Sequence, residues 1–96
     1  MTRILVVDDE PHIVSLVTRG LNAEGFDTAV AEDGQEALDR AQEGDIDLII
    51  LDVGLPTMDG FDVLRHLRAR GDGVPVIMLT ARSGIHATVE GLDAGA

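Results

Sequence analysis

The segment that most constrains the fold is Leu48–Asp52, in which four consecutive branched apolar residues are followed by a carboxylate. An apolar run of this length is typical of a strand buried on both faces, as in the centre of a parallel sheet. Open α/β sheets place their functional groups at the carboxyl ends of such strands. An ionised carboxylate is costly to leave bare in a medium of low dielectric constant, so we expect Asp52 to be solvated, paired or bound to a metal ion. Considered alone, Asp52 is explained equally well as a residue that begins a turn.

Three other segments are predicted to be strands, and helical segments alternate with all four. The third strand in chain order contains the run described above and is predicted over Asp47–Asp52. Apolar runs and alternating patterns predict the remaining strands at Ile4–Val7, Asp27–Ala31 and Val76–Leu79.

Four helices are predicted from their start and stop residues and from apolar residues at helical spacing. The first begins at Pro11 and ends at Gly25, and the second ends at Gly44. The third is capped by Asp59-Gly60 and ends at Gly71, and the fourth follows Gly84. Their predicted apolar stripes are Ile13, Val17 and Leu21; Ala37, Leu38 and Ala41; Phe61, Leu64 and Leu67; and Ile85, Val89 and Leu92.

Strict alternation of strands and helices with short connections predicts an α/β fold, in which a doubly wound parallel sheet carries helices on both faces. The 96 residues form one predicted domain, residues 1–96. The apolar runs are all far shorter than a membrane span, and the amino terminus lacks the pattern of a signal peptide. We therefore expect a cytoplasmic protein that does not enter a membrane.

The charge of the chain excludes some classes of partner. Eighteen acidic residues oppose seven basic ones, all of them arginine, and the net charge is −11. This balance argues against direct binding of the domain to nucleic acid or to an anionic membrane, because both need a positive face. The absence of cysteine excludes disulfides and thiolate chemistry.

Polar side chains follow three of the predicted strands: Asp8 and Asp9, Asp52, and Thr80. If the first and third strands are neighbours, three carboxylates converge and cannot all stay ionised without a cation. Oxygen ligands without histidine or cysteine suit a hard ion, so Mg²⁺ is the expected metal, with Mn²⁺ or Ca²⁺ as alternatives. The competing interpretation is a set of solvated turn carboxylates, since acids before a helix favour its dipole without any metal.

These residues together resemble the receiver domain of bacterial two-component response regulators. The resemblance covers the whole chain and implies a flavodoxin-like sheet of order 2-1-3-4, with the fifth strand and helix of the family missing. The matching motifs are Ile4–Glu10, Leu51-Asp52 with Leu55-Pro56, Met58-Asp59-Gly60, Val76–Ala81, and Gly91-Leu92 through Gly95-Ala96.

The resemblance implies a role for each site residue. Asp52 would be the phosphoacceptor for a sensor histidine kinase. Asp9 and Asp52 would bind Mg²⁺ directly, Asp8 would bind it through water, and the backbone carbonyl of Gly54 would add a ligand. Switching and phosphoryl binding are assigned to Thr80 and Ala81, and movement of Thr80 would rearrange the fourth helix.

The chain departs from the family in one respect. The family site includes a lysine and an aromatic switch residue on the fifth strand, and this chain has no lysine, tyrosine or tryptophan. We expect that the natural chain continues beyond Ala96 and supplies the missing unit. The alternative is a four-unit domain completed by dimerisation or strand exchange. A homodimer would then use the fourth-helix face or the exposed fourth strand.

Three functions are compatible with the sequence. The first is a signalling switch that is not a metabolic enzyme and assists only its own phosphorylation and dephosphorylation. By resemblance to receivers fused to winged-helix (OmpR-like) transcription factors, it would control transcription through a separate DNA-binding domain. The second is an aspartyl-phosphate hydrolase of the haloacid-dehalogenase kind, although Gly54 stands where that family has its second acid. The third is an interaction module that keeps the fold and no longer switches.

Overall fold

A computed structural model describes residues 2–55, 58–80 and 86–90, with side chains for residues 2–55 and 58–79. Its strands form one sheet of order β2-β1-β3-β4-β5, in which the first four strands are parallel and β5 is antiparallel to β4. The predicted order 2-1-3-4 is therefore confirmed. The elements are β1 (Arg3–Val7), α1 (Pro11–Ala23), β2 (Asp27–Ala31), α2 (Gly34–Gln42), β3 (Leu48–Asp52), α3 (Gly60–Ala69), β4 (Val76–Thr80) and β5 (His86–Glu90).

The main core lies on the face of the sheet that α2 and α3 cover. Alternate strand residues point to this face because side chains of a strand alternate between its two sides. The helices contribute Leu38, Val63 and Leu67, all buried. The fully or almost fully buried strand residues on this face are Leu5, Val7, Ala31, Ile49, Leu51, Val76 and Met78.

The opposite face, which α1 covers, is less completely buried. Ile4 and Val6 on β1 are buried there, whereas Leu48 and Ile50 on β3 are only half-buried. Helix α1 packs chiefly against β1 and β2 and has no fully buried residue, and its Leu16 is 71% exposed. The prediction that β3 is buried on both faces is therefore wrong for the α1 face, because α1 does not extend over that strand.

The predicted helix ends are confirmed, but the face that α3 buries is partly different. Positive φ angles at Gly25, Gly44 and Gly71 end the three helices, as the sequence indicates. Helix α3 buries Gly60, Val63 and Leu67, whereas Phe61, predicted to be buried, is 46% exposed. Residues at i, i+3 and i+7 share one face of a helix. The prediction began this series at Phe61, whereas the buried face begins one residue earlier, at Gly60.

The predicted fourth helix is wrong over residues 86–90, which form β5. This strand runs antiparallel to β4, with His86 opposite Thr80 and Glu90 opposite Val76. Backbone pairing with the otherwise open edge of β4 therefore prevails over the helical spacing of apolar residues. The exposed fourth strand predicted from the sequence is also wrong, because β5 covers it. The other predicted stripe residues of that helix, Ile85 and Leu92, lie outside the described residues.

The described helices are all too short and too polar to cross a membrane. The longest of them, α1, has 13 residues.

Arg3 holds together the amino-terminal edge of the sheet. Its guanidinium contacts Asp45 at 2.6 Å and Asp27 at 3.5 Å, and its backbone N–H donates to the Asp47 carboxylate at 2.9 Å. These acids belong to β2 and to the segment before β3, so one cation links the starts of three adjacent strands. Two carboxylates contact the half-buried guanidinium and a third accepts from the Arg3 backbone, which makes a local network. An isolated surface pair such as Arg65–Asp62 contributes little.

We expect Arg3→Gln to lower the free energy of unfolding by about 1 kcal/mol, because Asp27 and Asp45 lose their shared cation. This corresponds to a fall in Tm of about 5 °C for a domain of this size, smaller at high salt. Thermal melts followed by circular dichroism measure it. Arg65→Gln is the matched control, and an equal loss in that variant would show that general charge, not the network, is responsible.

Candidate metal centre at the carboxyl edge of the sheet

Three carboxylates meet where β1 and β3 end. Asp8, Asp9 and Asp52 each offer an oxygen atom, and these atoms all lie within 4.8 Å of one another. The pairing of the strands brings them together: Val7 lies opposite Leu51, so Asp8 and Asp52 leave the sheet side by side. The structure thus brings together the three acids that the sequence predicted as a cluster.

The three acids differ in their exposure to solvent. Asp9 is exposed and Asp52 half-buried, whereas Asp8 is only 8% exposed. Burial raises the pKa of Asp8, and the nearby charges of Asp52 and Asp9 raise it further. The backbone N–H of Glu10 opposes this shift by donating a hydrogen bond to Asp8 Oδ1 at 2.9 Å. Ionising Asp8 therefore costs more than ionising an exposed aspartate, and a positive charge in the cluster would lower that cost.

A hard divalent cation fits this donor set. The cluster contains carboxylate oxygens and neither histidine nor cysteine. Mg²⁺ prefers oxygen ligands, is commonly held by one or two carboxylates, and keeps several water molecules. Asp9 is open to solvent and Asp52 partly so, which leaves room for such waters. A cleft of about 210 Å³ adjoins Asp8 and Asp9 and runs along α1 past Val14 and Ser15.

The start of α3 packs tightly against the end of β3, next to the cluster. The Asp52 carboxylate accepts a hydrogen bond from the Gly54 N–H at 3.3 Å, and the Gly60 N–H donates to the Val53 carbonyl at 3.0 Å. A Cβ atom at Gly60 would lie 2.7 Å from the Asp52 carbonyl oxygen and 2.9 Å from Met78 Cε. Gly60 thus allows the start of α3 to press against the backbone that carries Asp52.

Sequence reasoning missed this role of Gly60. The Asp59-Gly60 pair predicted a helix start, and Asp59 does cap α3 by accepting a hydrogen bond from the Asp62 N–H at 2.9 Å. The contact between Gly60 and Asp52 links residues from two elements, and a local turn signal does not contain that information. A glycine directly after a capping residue was the available signal.

The remaining predicted site residues are less fully described. Thr80 ends β4 at the same edge of the sheet as Asp52, but its side chain lies outside the described atoms. Ala81 lies outside the described residues. The carbonyl of Gly54 as a metal ligand stays a prediction.

Comparison with known proteins identifies the family of this chain. The family profile "Response regulator receiver domain" matches residues 4–96. The DNA-binding response regulator MtrA of Mycolicibacterium smegmatis is 51% identical over 94 residues, which are 98% of this chain and 41% of MtrA. The chain therefore spans about two fifths of the length of this relative.

Solved structures give the same result. The response regulator TrrA of Thermotoga maritima, in complex with Mg²⁺-BeF, matches with a TM-score of 0.81 and 43% identity over 86% of this chain and 72% of TrrA. TrrA in complex with the histidine kinase ThkA matches with a TM-score of 0.80 and 43% identity, over the same shares of the two chains.

We expect Gly60→Ala to destabilise the fold by about 1–3 kcal/mol and to weaken Mg²⁺ binding, because its methyl group must displace the Asp52 backbone or Met78. Chemical denaturation measures the loss of stability, and a Mg²⁺ titration followed by NMR measures the change in metal affinity. Gly73→Ala is the control, since its Cβ would meet nothing within 4 Å. A Gly60→Ala protein with unchanged stability and metal affinity would contradict the tight packing.

We expect Asp8→Asn to stabilise the metal-free protein at neutral pH. The pKa of Asp8 is raised in the folded state, so its contribution to stability is present below the unfolded value, near 3.8, and is lost as pH rises through the folded value. An asparagine does not ionise, so the variant avoids this loss of stability at neutral pH. Its higher Tm relative to the parent should disappear in acid.

Thermal melts in the presence of a chelator, from acid pH below the unfolded pKa of Asp8 up to neutral pH, test this prediction. Asp39→Asn, an exposed acid on α2, controls for the change in net charge. Equal stabilisation by both variants would assign the effect to total charge and not to Asp8.

Proposed function

Because the chain belongs to the response regulator receiver domain family, we propose that residues 1–96 form a receiver domain in which Asp52 accepts a phosphoryl group. The observation that carries the proposal is the convergence of Asp8, Asp9 and Asp52 within 4.8 Å at the carboxyl edge of the sheet. Of the three, Asp52 is the one at the end of a central strand, half-buried and held by the Gly54 N–H. A carboxylate fixed in this way is suited to act as a nucleophile.

The chain's own residues contribute positioning and charge. A carboxylate oxygen of Asp52 would attack the phosphorus, and the bond between phosphorus and the donor's leaving atom would break as the new P–O bond forms. Close packing of Gly60 against the Asp52 backbone would keep the nucleophile in place during this displacement. Thr80, at the end of the adjacent strand β4, would hydrogen-bond a phosphoryl oxygen.

Asp8, Asp9 and Asp52, with the carbonyl of Gly54, would hold Mg²⁺. When bound, the ion neutralises negative charge that accumulates during phosphoryl transfer. Burial and the neighbouring acids raise the pKa of Asp8, and a bound cation would offset both effects, which supports this assignment. The relative TrrA, whose structure contains Mg²⁺-BeF, gives independent support.

We propose a sensor histidine kinase as the phosphodonor and control of transcription as the output. The structure of TrrA with the kinase ThkA supports the first, and the name of MtrA as a DNA-binding response regulator supports the second. Because this chain spans only 41% of MtrA, the DNA-binding step belongs to the proposal for the whole protein. Homodimerisation and a cytoplasmic location stay predictions.

No observation favours the hydrolase alternative. An aspartyl-phosphate hydrolase of that kind needs a second acid two residues after its nucleophile to protonate the leaving group. Gly54 occupies that position and has no side chain. The proposed chemistry therefore ends with a phosphorylated chain rather than with repeated turnover.

We expect incubation with acetyl phosphate and Mg²⁺ to add one acid-stable, base-labile phosphoryl group per chain, measured by intact mass spectrometry. Asp52→Asn should abolish the addition, because the amide is not a nucleophile, and a chelator should suppress it. Asp39→Asn, a matched substitution on the exposed face of α2, should leave it unchanged.

Two outcomes would contradict the phosphoacceptor role of Asp52. One is an equal yield of phosphorylated chain in Asp52→Asn. The other is steady release of phosphate from p-nitrophenyl phosphate over many cycles per chain, which would favour the hydrolase.

A further inference from the structure

An aspartate is followed directly by a glycine at three places in the chain: Asp33-Gly34, Asp59-Gly60 and Asp72-Gly73. Such a pair is chemically vulnerable, because the glycine nitrogen can attack the side-chain carbonyl carbon of the aspartate. Glycine has no Cβ atom to hinder this approach, and its backbone turns easily. The surroundings of each pair decide whether the reaction can proceed in the folded protein.

Two of the pairs are held at the starts of helices. Asp33 and Asp59 accept hydrogen bonds from N–H groups of the first turns of α2 and α3, and their ψ angles are 175° and 171°. Ring closure requires rotation away from this extended setting, which would break the cap. Gly34 and Gly60 are buried, and their Cβ positions lie only 2.9 and 2.7 Å from the nearest atoms. The Gly60 N–H also donates to the Val53 carbonyl at 3.0 Å, so neither pair has room to react.

The third pair lies in the connection between α3 and β4. Gly73 is exposed, its Cβ position meets nothing within 4 Å, and its N–H donates to no acceptor among the described residues. Asp72 Oδ1 accepts a hydrogen bond from the Val74 N–H at 3.1 Å. This bond closes a ring of atoms that includes Asp72 Cγ and the Gly73 nitrogen. The attacking and attacked atoms are therefore held close together in an open turn.

We propose that Asp72 is a site of spontaneous isomerisation to isoaspartate and that it reacts before Asp33 and Asp59. The Gly73 nitrogen forms a bond to Asp72 Cγ, the bond from Cγ to its hydroxyl oxygen breaks, and the nitrogen's proton leaves with the hydroxyl as water. The product is a cyclic imide. Water then adds across one of its two carbonyl–nitrogen bonds. Cleavage at Cγ restores aspartate, and cleavage at the main-chain carbonyl carbon gives isoaspartate.

Isomerisation would loosen the connection that leads into β4. Arg68 braces this turn, because its Nη1 donates to the Asp72 carbonyl at 2.7 Å and its Nη2 to the Val74 carbonyl at 2.8 Å. In isoaspartate the former Asp72 carbonyl is a carboxylate outside the main chain, and the backbone is one carbon longer. Arg68 then no longer clamps two carbonyls of one backbone, so the altered chain should melt several degrees below the parent.

The whole chain is incubated at neutral pH and physiological temperature, digested with trypsin and analysed by mass spectrometry with electron-transfer fragmentation. Cleavage after arginine places the three pairs on separate peptides, residues 20–40, 41–65 and 71–82. Isoaspartate should form about tenfold faster at Asp72 than at Asp33 or Asp59, because only there are the reacting groups open and close. In guanidinium chloride the three pairs should react at similar rates, since the fold no longer distinguishes them.

A matched pair of variants tests the role of the Gly73 nitrogen. Gly73→Ala should slow the reaction at Asp72 about tenfold, because the added methyl group hinders attack while meeting no other atom of the fold. Gly20→Ala on α1, whose Cβ position also meets nothing within 4 Å, should leave the rate at Asp72 unchanged.

Incubation continues until the chain in guanidinium chloride has formed isoaspartate. Equal rates at the three pairs in the folded protein would overturn the inference, as would a faster reaction at Asp33 or Asp59. A folded chain in which Asp72 stays intact would overturn it as well, because the turn would then protect this residue.

Discussion

The parallel pairing of β1 with β3 is the constraint on which the site depends. Val7 lies opposite Leu51, so the two strands end at the same level and release Asp8 and Asp52 next to each other. A shift of one residue in this register would turn the acidic side chains to opposite sides of the sheet and expose the buried residues. The apolar core against α2 and α3 therefore fixes the position of the carboxylates as well as the stability of the fold.

The two faces of the sheet differ in how completely their side chains are buried, and this difference affects the stability of the fold. On one side α2 and α3 bury nearly complete rows of strand residues, whereas on the other side α1 leaves Leu48 and Ile50 half-covered. β5 completes the edge of β4 through backbone hydrogen bonds, which satisfies that edge without adding a helix to either face. Stability thus rests mainly on the α2–α3 side, and the Arg3 network adds a link at the opposite end of the strands.

Much of the fold and the position of the acid cluster could be predicted from the sequence, because the sequence patterns that indicate them are local or periodic. Apolar runs predicted β1, β3 and β4, and carboxylates at the ends of parallel strands predicted the acid cluster. The errors concern contacts between distant elements. Phe61 has the hydrophobicity of a core residue, but the close approach of Gly60 to Asp52 turns α3 so that Val63 is buried instead. Residues 86–90 have a helical spacing, but an available strand edge depends on the rest of the sheet, which no local pattern describes.

The tight packing under Asp52 also constrains how the site could respond to phosphorylation. A phosphoryl group on Asp52 would carry roughly −1.5 to −2 charge beside the two remaining carboxylates, Asp8 and Asp9. Little space is left at the start of α3, since Gly60 lies against the Asp52 backbone. The start of α2 is also closely packed, because the Cβ position of Gly34 is 2.9 Å from Val63 Cγ2 and 3.0 Å from Met58 Sδ. The added charge must then be balanced by a cation or screened by solvent, or be relieved by movement at the end of β4. If Asp52 is the acceptor, its tight packing would hold it in place, and we would expect motion on phosphorylation to begin at the end of β4.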